Sequence, residues 1–246
     1  MTDRRVLVTG ASSGIGRATA KYLLDCGYNV ILTSRDEIKL KHHFGAYDET
    51  RVGVVAFDFT KLEDIRKFCL GVVEKFGCVK SLVICAGQSQ LLPLELIDYK
   101  KTIALFEINT VSAFELIRGF FNKGFSKDDP SIVLISSIST KEAAPGRSVY
   151  AATKGALEGY LKTSARELLK KNIRINILLP GLIHSEMTDK YLSKLSDKEL
   201  EIINNQYPLG IGKPEYLAYF IEFLISDKGK WITGQSFILD GGSSLF

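Results

Sequence analysis

Residues 5–24 read RVLVTGASSGIGRATAKYLL, and this stretch decides the architecture. RVLVT is a short β-branched run of the kind that forms a buried strand, and the residues after Ile15 carry apolar side chains at helical spacing. Between the two stand Gly10, Gly14 and Gly16. Glycines let the chain turn tightly and let a pyrophosphate approach the backbone, while the unpaired N–H groups and dipole of the helix start favour the anion. The spacing is GxxxGxG and not the GxGxxG of the general dinucleotide fingerprint, so the physical roles carry the reading. A glycine-rich turn can serve structure alone. Its place between the first strand and first helix of a βαβ unit favours a nucleotide.

Working outward, NVILTS (29–34), VGVVAF (52–57), SLVICA (81–86), SIVLIS (131–136), IRINILL (173–179) and SFILD (236–240) alternate with longer helical patterns. Runs that are apolar on both faces belong inside a parallel sheet covered by helices. The chain is therefore expected to be α/β, a doubly wound seven-stranded parallel sheet in the order 3-2-1-4-5-6-7 with helices on both faces. With no internal repeat or linker, residues 1–246 are expected to form one domain. Residues 187–210 are polar and weakly periodic, anchored by Met187, Tyr191, Leu192, Leu195 and Leu200, and are read as a mobile lid. The helix after Tyr150 repeats Ala156, Leu157, Tyr160, Leu161, Ser164, Ala165, Leu168 and Leu169, and is expected to be buried along its length.

Composition excludes several classes. A net charge of +4 is modest for 246 residues, and the densest basic stretch, Lys170, Lys171 and Arg174, reads as a solvated helix end, so nucleic-acid binding is not expected. No apolar run is long enough for a membrane span. The N-terminus enters a strand within a few residues with no leader pattern, which makes the cytoplasm the expected compartment. Cys26, Cys69, Cys78 and Cys85 lack metal-ligand spacing and read as reduced core thiols; His42 and His43 read as a surface helix end. No metal is implied.

At the end of the second strand stand Ser34 and Arg35, where a site for NAD would place a carboxylate. A guanidinium can pair with a 2′-phosphate and a serine hydroxyl can donate to it, so NADP(H) is favoured over NAD(H). Asp36 weakens that preference unless it caps the next helix. Further on, Tyr150 and Lys154 lie four apart and share one helix face, where an ammonium would lower the phenol pKa and make tyrosine a useful proton donor.

With TGASSGIG, YAATK and the interval between them, the chain resembles the short-chain dehydrogenase/reductase superfamily in its compact form, end to end. The resemblance also rests on Asp58 in FDFT, Ala86 and Gly87 in CAG, Asn109 in EINTVSAF, Ser137 in LISSIS, Pro180 and Gly181 in LLPGLIHSEM, and the tail ITGQSFILDGG. It implies that Ser137 bonds a substrate carbonyl oxygen, Tyr150 protonates it, and Lys154 lowers the tyrosine pKa and bonds the nicotinamide ribose. Asn109 would hold a water on the proton path. For the cofactor it implies the turn Gly10, Ser12, Ser13, Gly14, Ile15 and Gly16; Ser34 and Arg35; Asp58 and Phe59 at the adenine; Cys85, Ala86 and Gly87 at the adenosine ribose; and Pro180, Gly181, Ile183 and Ser185 at the nicotinamide end. Cys85 stands where the family commonly has asparagine, so altered packing is expected there.

The chain is most similar to 3-oxoacyl-thioester reductases, which implies NADPH-dependent reduction of a ketone to a secondary alcohol. Carrier-protein reductases tend to have basic residues before the serine-bearing strand, whereas this chain has Asp128 and Asp129, with Lys123, Lys127 and Lys171 as possible compensation. Acyl carrier protein or acyl-CoA is thus a weak expectation. Lys141, Glu142 and Arg147 between Ser137 and Tyr150 either favour a polar or anionic carbonyl substrate or point to solvent. His184 either contacts substrate or occupies its loop, with the loop favoured. The rival reading is a catalytically silent NADP(H)-binding sensor. A homodimer or homotetramer is expected from family habit, through helices around residues 99–123 and 150–170.

Overall fold

A computed structural model describes residues 4–245, apart from the side chain of Met187. In chain order the regular elements are β1 (Arg5–Thr9), α1 (Gly14–Asp25), β2 (Asn29–Ser34), α2 (Glu37–Phe44), β3 (Val52–Ala56), α3 (Ile65–Phe76), β4 (Ser81–Ile84) and α4 (Tyr99–Phe106). They continue with α5 (Ser112–Phe121), β5 (Ser131–Ile135), α6 (Ser148–Leu168), β6 (Arg174–Pro180), α7 (Glu186–Leu192), α8 (Asp197–Gln206), α9 (Pro214–Ile225) and β7 (Ser236–Leu239). The strands form one parallel seven-stranded sheet in the order β3-β2-β1-β4-β5-β6-β7, as expected.

Every residue of β4, β5 and β6 is buried, because helices cover both faces of the sheet. On one face Leu7, Leu82, Ile132 and Ile175 pack with side chains of α3, α5 and α6; on the other, Val6, Val8, Val83 and Val133 pack with α1, α2 and α9. The order reverses between β1 and β4, so their carboxyl ends open a crevice of the kind in which α/β sheets bind ligands. Among the described residues no helix is long and apolar enough to cross a membrane.

Three expectations change. Arg174 is not part of a solvated helix end: it is 3% exposed, and its guanidinium donates to the carbonyls of Leu224, Gly229 and Ile232 and pairs with Asp129 at 3.3 Å. As the first residue of β6 it belongs to the sheet, and its charge is satisfied by carbonyls at the end of α9. Of the four thiols, Cys69 is buried, Cys26 and Cys85 are half-buried, and Cys78 is exposed beyond the end of α3, where it donates to Lys123 O. Nor is α6 buried along its length: Leu157, Leu161, Ser164, Ala165 and Leu168 face the sheet, Tyr160 stacks on Phe114 at 4.2 Å, and Leu169 lies exposed just past the helix.

Candidate active site

The glycine turn between β1 and α1 is built for close approach. Gly10 and Gly14 have φ of +66° and +48°, a region that side chains other than glycine rarely occupy. A Cβ on Gly16 would lie 2.4 Å from the Gly10 carbonyl oxygen, and one on Gly10 would lie 3.0 Å from the Ala86 nitrogen. Ser13 is the extended residue ahead of α1, and its side chain makes no cap, which leaves the first N–H groups of a twelve-residue helix for an anion. Ser12, Ser13 and Ile15 lie on this rim and Gly16 is buried beneath it. These residues suit a pyrophosphate.

Around the turn lie the other residues expected at a nucleotide. Ser34, at the end of β2, donates to Asp36 O and accepts from Asp36 N, while the Asp36 carboxylate caps α2 at Lys39 N. Asp36 is thus engaged as the cap of the helix. Arg35 between them is exposed. Asp58 accepts from Thr60 N and Oγ1 through one oxygen, and the nearby Arg35 helps hold its carboxyl below the usual range, after the bonds to Thr60. The Phe59 ring is buried against Phe57 and Phe68.

Cys85, Ala86 and Gly87 follow β4. The N–H groups of Cys85 and Ala86 both donate to Thr9 Oγ1, at 3.1 and 3.0 Å, so a β1 hydroxyl braces this run where no asparagine side chain is present. Burial pushes the Cys85 thiol up to about 12, and Lys154 opposes the shift. Pro180 ends β6. A Cβ on Gly181 would sit 2.8 Å from Asp240 Cα and 3.0 Å from the Tyr207 ring. Ile183 bridges Gly212 through the main chains of Leu182 and His184, leaving its own out of those bonds. Ser185 caps α7 by accepting from Thr188 N, and its Cβ lies 3.7 Å from a Cβ built on Gly14, so α7 starts against the glycine turn. His184 Nδ1 lies 2.6 Å from Asp189 Oδ1, which places it in its loop.

At the carboxyl ends of β4 and β5 the remaining side chains converge. Helix α4 passes through a π turn, Glu107–Val111, into α5; such wide turns disturb the regular ladder and recur at functional sites. Asn109 in that turn is buried and clamps the main chain of Gln88, accepting from its N–H at 2.7 Å and donating to its carbonyl at 2.9 Å, with a second donation to Thr153 Oγ1. The Lys154 ammonium donates to Ile135 O at 2.9 Å, and a Cβ on Gly87 would meet it at 3.3 Å and Asn109 Oδ1 at 3.0 Å. Burial lowers the Lys154 pKa to about 8. Ser137 ends the β5 turn, donating to Ser139 Oγ and accepting from Ser139 N. Its hydroxyl is also close enough to the Tyr150 phenol to favour the phenolate.

The phenol pKa departs from the sequence reading. Burial raises it above the ordinary value; Ser137 and then Arg147 lower it, but burial wins. Lys154 Nζ lies 6.0 Å from the Tyr150 ring centroid, with its own charge partly suppressed by burial. Chemically the cluster offers two neighbouring hydroxyls, a cation on the same helix face, and a glycine cradle across the crevice.

Two residues were not singled out in the sequence. Thr9 stands in the sequence only as a strand residue, and the alternation of RVLVT gives no sign that its hydroxyl reaches β4. Tyr207, within residues 187–210, is 8% exposed and accepts from Leu182 N at 3.2 Å, buttressing the loop after β6. Its aromatic character among polar neighbours was the available signal.

The family model described as Enoyl-(Acyl carrier protein) reductase matches residues 10–244. A 3-oxoacyl-[acyl-carrier-protein] reductase of Rickettsia prowazekii is 35% identical, over 98% of this chain and 97% of its own. Among solved structures, ElxO with NADP bound superposes at a TM-score of 0.88 with 28% identity and full coverage of both chains. A 4-hydroxyisoleucine dehydrogenase mutant complexed with NADH and succinate has a TM-score of 0.88 and 30% identity, covering 98% of this chain and 99% of its own.

Proposed function

The chain belongs to the short-chain dehydrogenase/reductase family, and from that premise we propose that it reduces a ketone to a secondary alcohol at the expense of NADPH, with Tyr150 as proton donor. The observation that carries the reading is the neighbouring Ser137 and Tyr150 hydroxyls beside Lys154, at the end of the sheet that faces the glycine cradle. Two neighbouring hydroxyls suit a carbonyl oxygen, on which charge grows during reduction, and suit protonation of a C=C bond poorly. The oxidoreductase reading rests on this geometry and on the 3-oxoacyl reductase relative. It leaves the silent sensor without support.

NADP(H) is the cofactor, as in the ElxO complex. When bound it supplies the hydride that goes to the carbonyl carbon. Ser137 would hold the carbonyl oxygen, and Tyr150 would deliver the proton, so that the ketone gains hydride at carbon and proton at oxygen as NADPH becomes NADP⁺. Lys154, held by the Ile135 carbonyl, would bond the ribose hydroxyls and restore positive charge beside the phenol. Asn109 would fix the Gln88 main chain, and with it the neighbouring Gly87. Arg35 and Ser34 would take the 2′-phosphate, Asp58 and Phe59 the adenine, Ala86 and Gly87 the adenosine ribose, and Pro180, Gly181, Ile183 and Ser185 the nicotinamide end. Residues 187–210 would act as the lid of a single domain.

For the substrate, a 3-oxoacyl thioester and a polar ketone remain the two classes. The surface before β5 offers an acidic carrier protein little: Asp129 is tied to Arg174, and the Lys171 ammonium is spent on Phe121 O and Asn122 Oδ1. The relative solved with succinate favours a polar or anionic compound. Self-association through α4 and α5 and through α6 would cover Tyr99 and Ile103, both exposed.

The test is NADPH oxidation over a panel of ketones. Tyr150→Phe should lower kcat by about 10²- to 10⁴-fold, the usual contribution of a general acid, while NADPH binding is retained. Turnover by Tyr150→Phe at the wild-type rate, or bound NADPH that no ketone oxidises, would refute the reading.

A further inference from the structure

Leu94, Ser139, residues 142–148 and Ala151 line an open cleft of about 420 Å³ beside the start of α6. Its walls are largely apolar, formed by Leu94, Ala143, Ala144, Pro145 and Ala151. It reaches the reacting groups through Ser139, whose hydroxyl accepts from Ser137 at 3.1 Å. A ketone held by Ser137 and Tyr150 would therefore extend its carbon chain into this cleft.

The charged side chains around it are not equivalent. Lys141 is paired with Glu158 at 2.8 Å, and Glu142 accepts from Ser243 at 2.7 Å. Arg147 also lines the cleft, half-buried, with its guanidinium 5.8 Å from the centroid of the Tyr150 ring. Among the described residues no carboxylate forms an ion pair with it. Its position follows from spacing: three residues ahead of Tyr150, it reaches the tyrosine's side of the helix start. A half-buried cation in an apolar cleft loses hydration that the Tyr150 ring, 5.8 Å away, returns only in part. A guanidinium is the side chain best shaped to recover it from a planar carboxylate through paired hydrogen bonds.

Resting on the reductase reading above, we propose that Arg147 binds a carboxylate carried on the same short carbon chain as the ketone, so that the substrate is a free oxo acid and not a thioester or neutral ketone. Attachment at two points, carbonyl oxygen to Ser137 and Tyr150 and carboxylate to Arg147, fixes which face of the carbonyl is presented. The apolar walls take the carbon chain between them.

The experiment uses the full chain and NADPH with pyruvate, acetoacetate and levulinate, each against its methyl ester, and with acetoacetyl N-acetylcysteamine as the thioester. A charge-assisted bond to a carboxylate contributes enough that kcat/KM for the acid of at least one pair should exceed that of its ester by about tenfold or more. Arg147→Gln should erase that preference through the KM of the acid, and Arg147→Lys should return part of it. NADPH binding to each variant shows that it is folded, and the wild-type comparison needs no variant. Equal or better use of the esters or thioester by the wild type overturns the assignment of Arg147 and leaves the reductase standing, as does a preference that survives in Arg147→Gln. Bound NADPH that none of these compounds oxidises overturns both.

Discussion

Lys154 is 6% exposed, and burial brings its pKa from the ordinary 10.5 to about 8. The unfolded chain keeps this proton up to the ordinary value, so between the two pKa values the unfolded state binds more protons and stability rises with pH. The cost of burying the charge is fully present below the folded value and is relieved as the lysine deprotonates. Urea melts of wild type against Lys154→Met should show the wild type gaining about 2 kcal/mol, relative to the variant, between about pH 7 and about pH 9.5; a constant difference would contradict a buried ammonium. Thr9 works differently, through two N–H groups that donate to one hydroxyl. Thr9→Val keeps the shape and strands both donors at the seam of β1 and β4, at a cost of about 2 kcal/mol or more by thermal or denaturant melting. Loss of under about 0.5 kcal/mol would mean that water replaces the hydroxyl. Of these two residues only Lys154 was legible in the sequence, because its spacing to Tyr150 fixes a shared helix face, whereas a strand pattern does not say which neighbour a threonine hydroxyl reaches.

The strands were legible as elements because a parallel strand buried on both faces leaves an uninterrupted apolar run, and all seven runs form strands. The segment after β6 was not. Its periodicity is weak, yet it folds into α7 and α8, and α8 begins with a capping box in which Ser196 and Glu199 satisfy each other's N–H groups. That Ser-x-x-Glu pattern stood in the sequence as a helix start. The first residue of α7 ties it across the crevice: Glu186 pairs with Arg17 of α1 and Lys39 of α2, each at 3.0 Å. Pairs this exposed contribute about 0–1 kcal/mol each and weaken with salt. Glu186→Gln should therefore change global stability by under about 1 kcal/mol yet speed limited proteolysis within residues 187–210. Added salt should speed cleavage of the wild type and add little in the variant. Equal, salt-insensitive cleavage of both would show that α7 is held by other contacts.

At the scale of the whole molecule, the nucleotide crevice draws on residues that the chain brings from β1, β2, β4, α6 and the loop after β6, so occupancy should be felt as global stability. A ligand that binds only the folded state adds about 2.7 kcal/mol at a hundred times its dissociation constant. For a chain of this size each kcal/mol moves Tm by about 2–4 °C, giving a rise of about 5–10 °C with saturating NADPH. The choice between cofactors falls on Arg35, exposed at the end of β2 beside a carboxylate, Asp36, that is already committed to capping α2. At equal concentration NADH should raise Tm less than NADPH, because it lacks the phosphate that the guanidinium pairs with. Arg35→Asp puts a negative charge at that point, which repels a 2′-phosphate and can accept from a free 2′-hydroxyl. The variant should lose most of the NADPH shift and keep that of NADH. If both shifts fell together, Arg35 would be holding the fold of the β2 end and not discriminating phosphate; if neither changed, the 2′-phosphate would lie elsewhere, with Arg17 and Lys39 the cations to replace next.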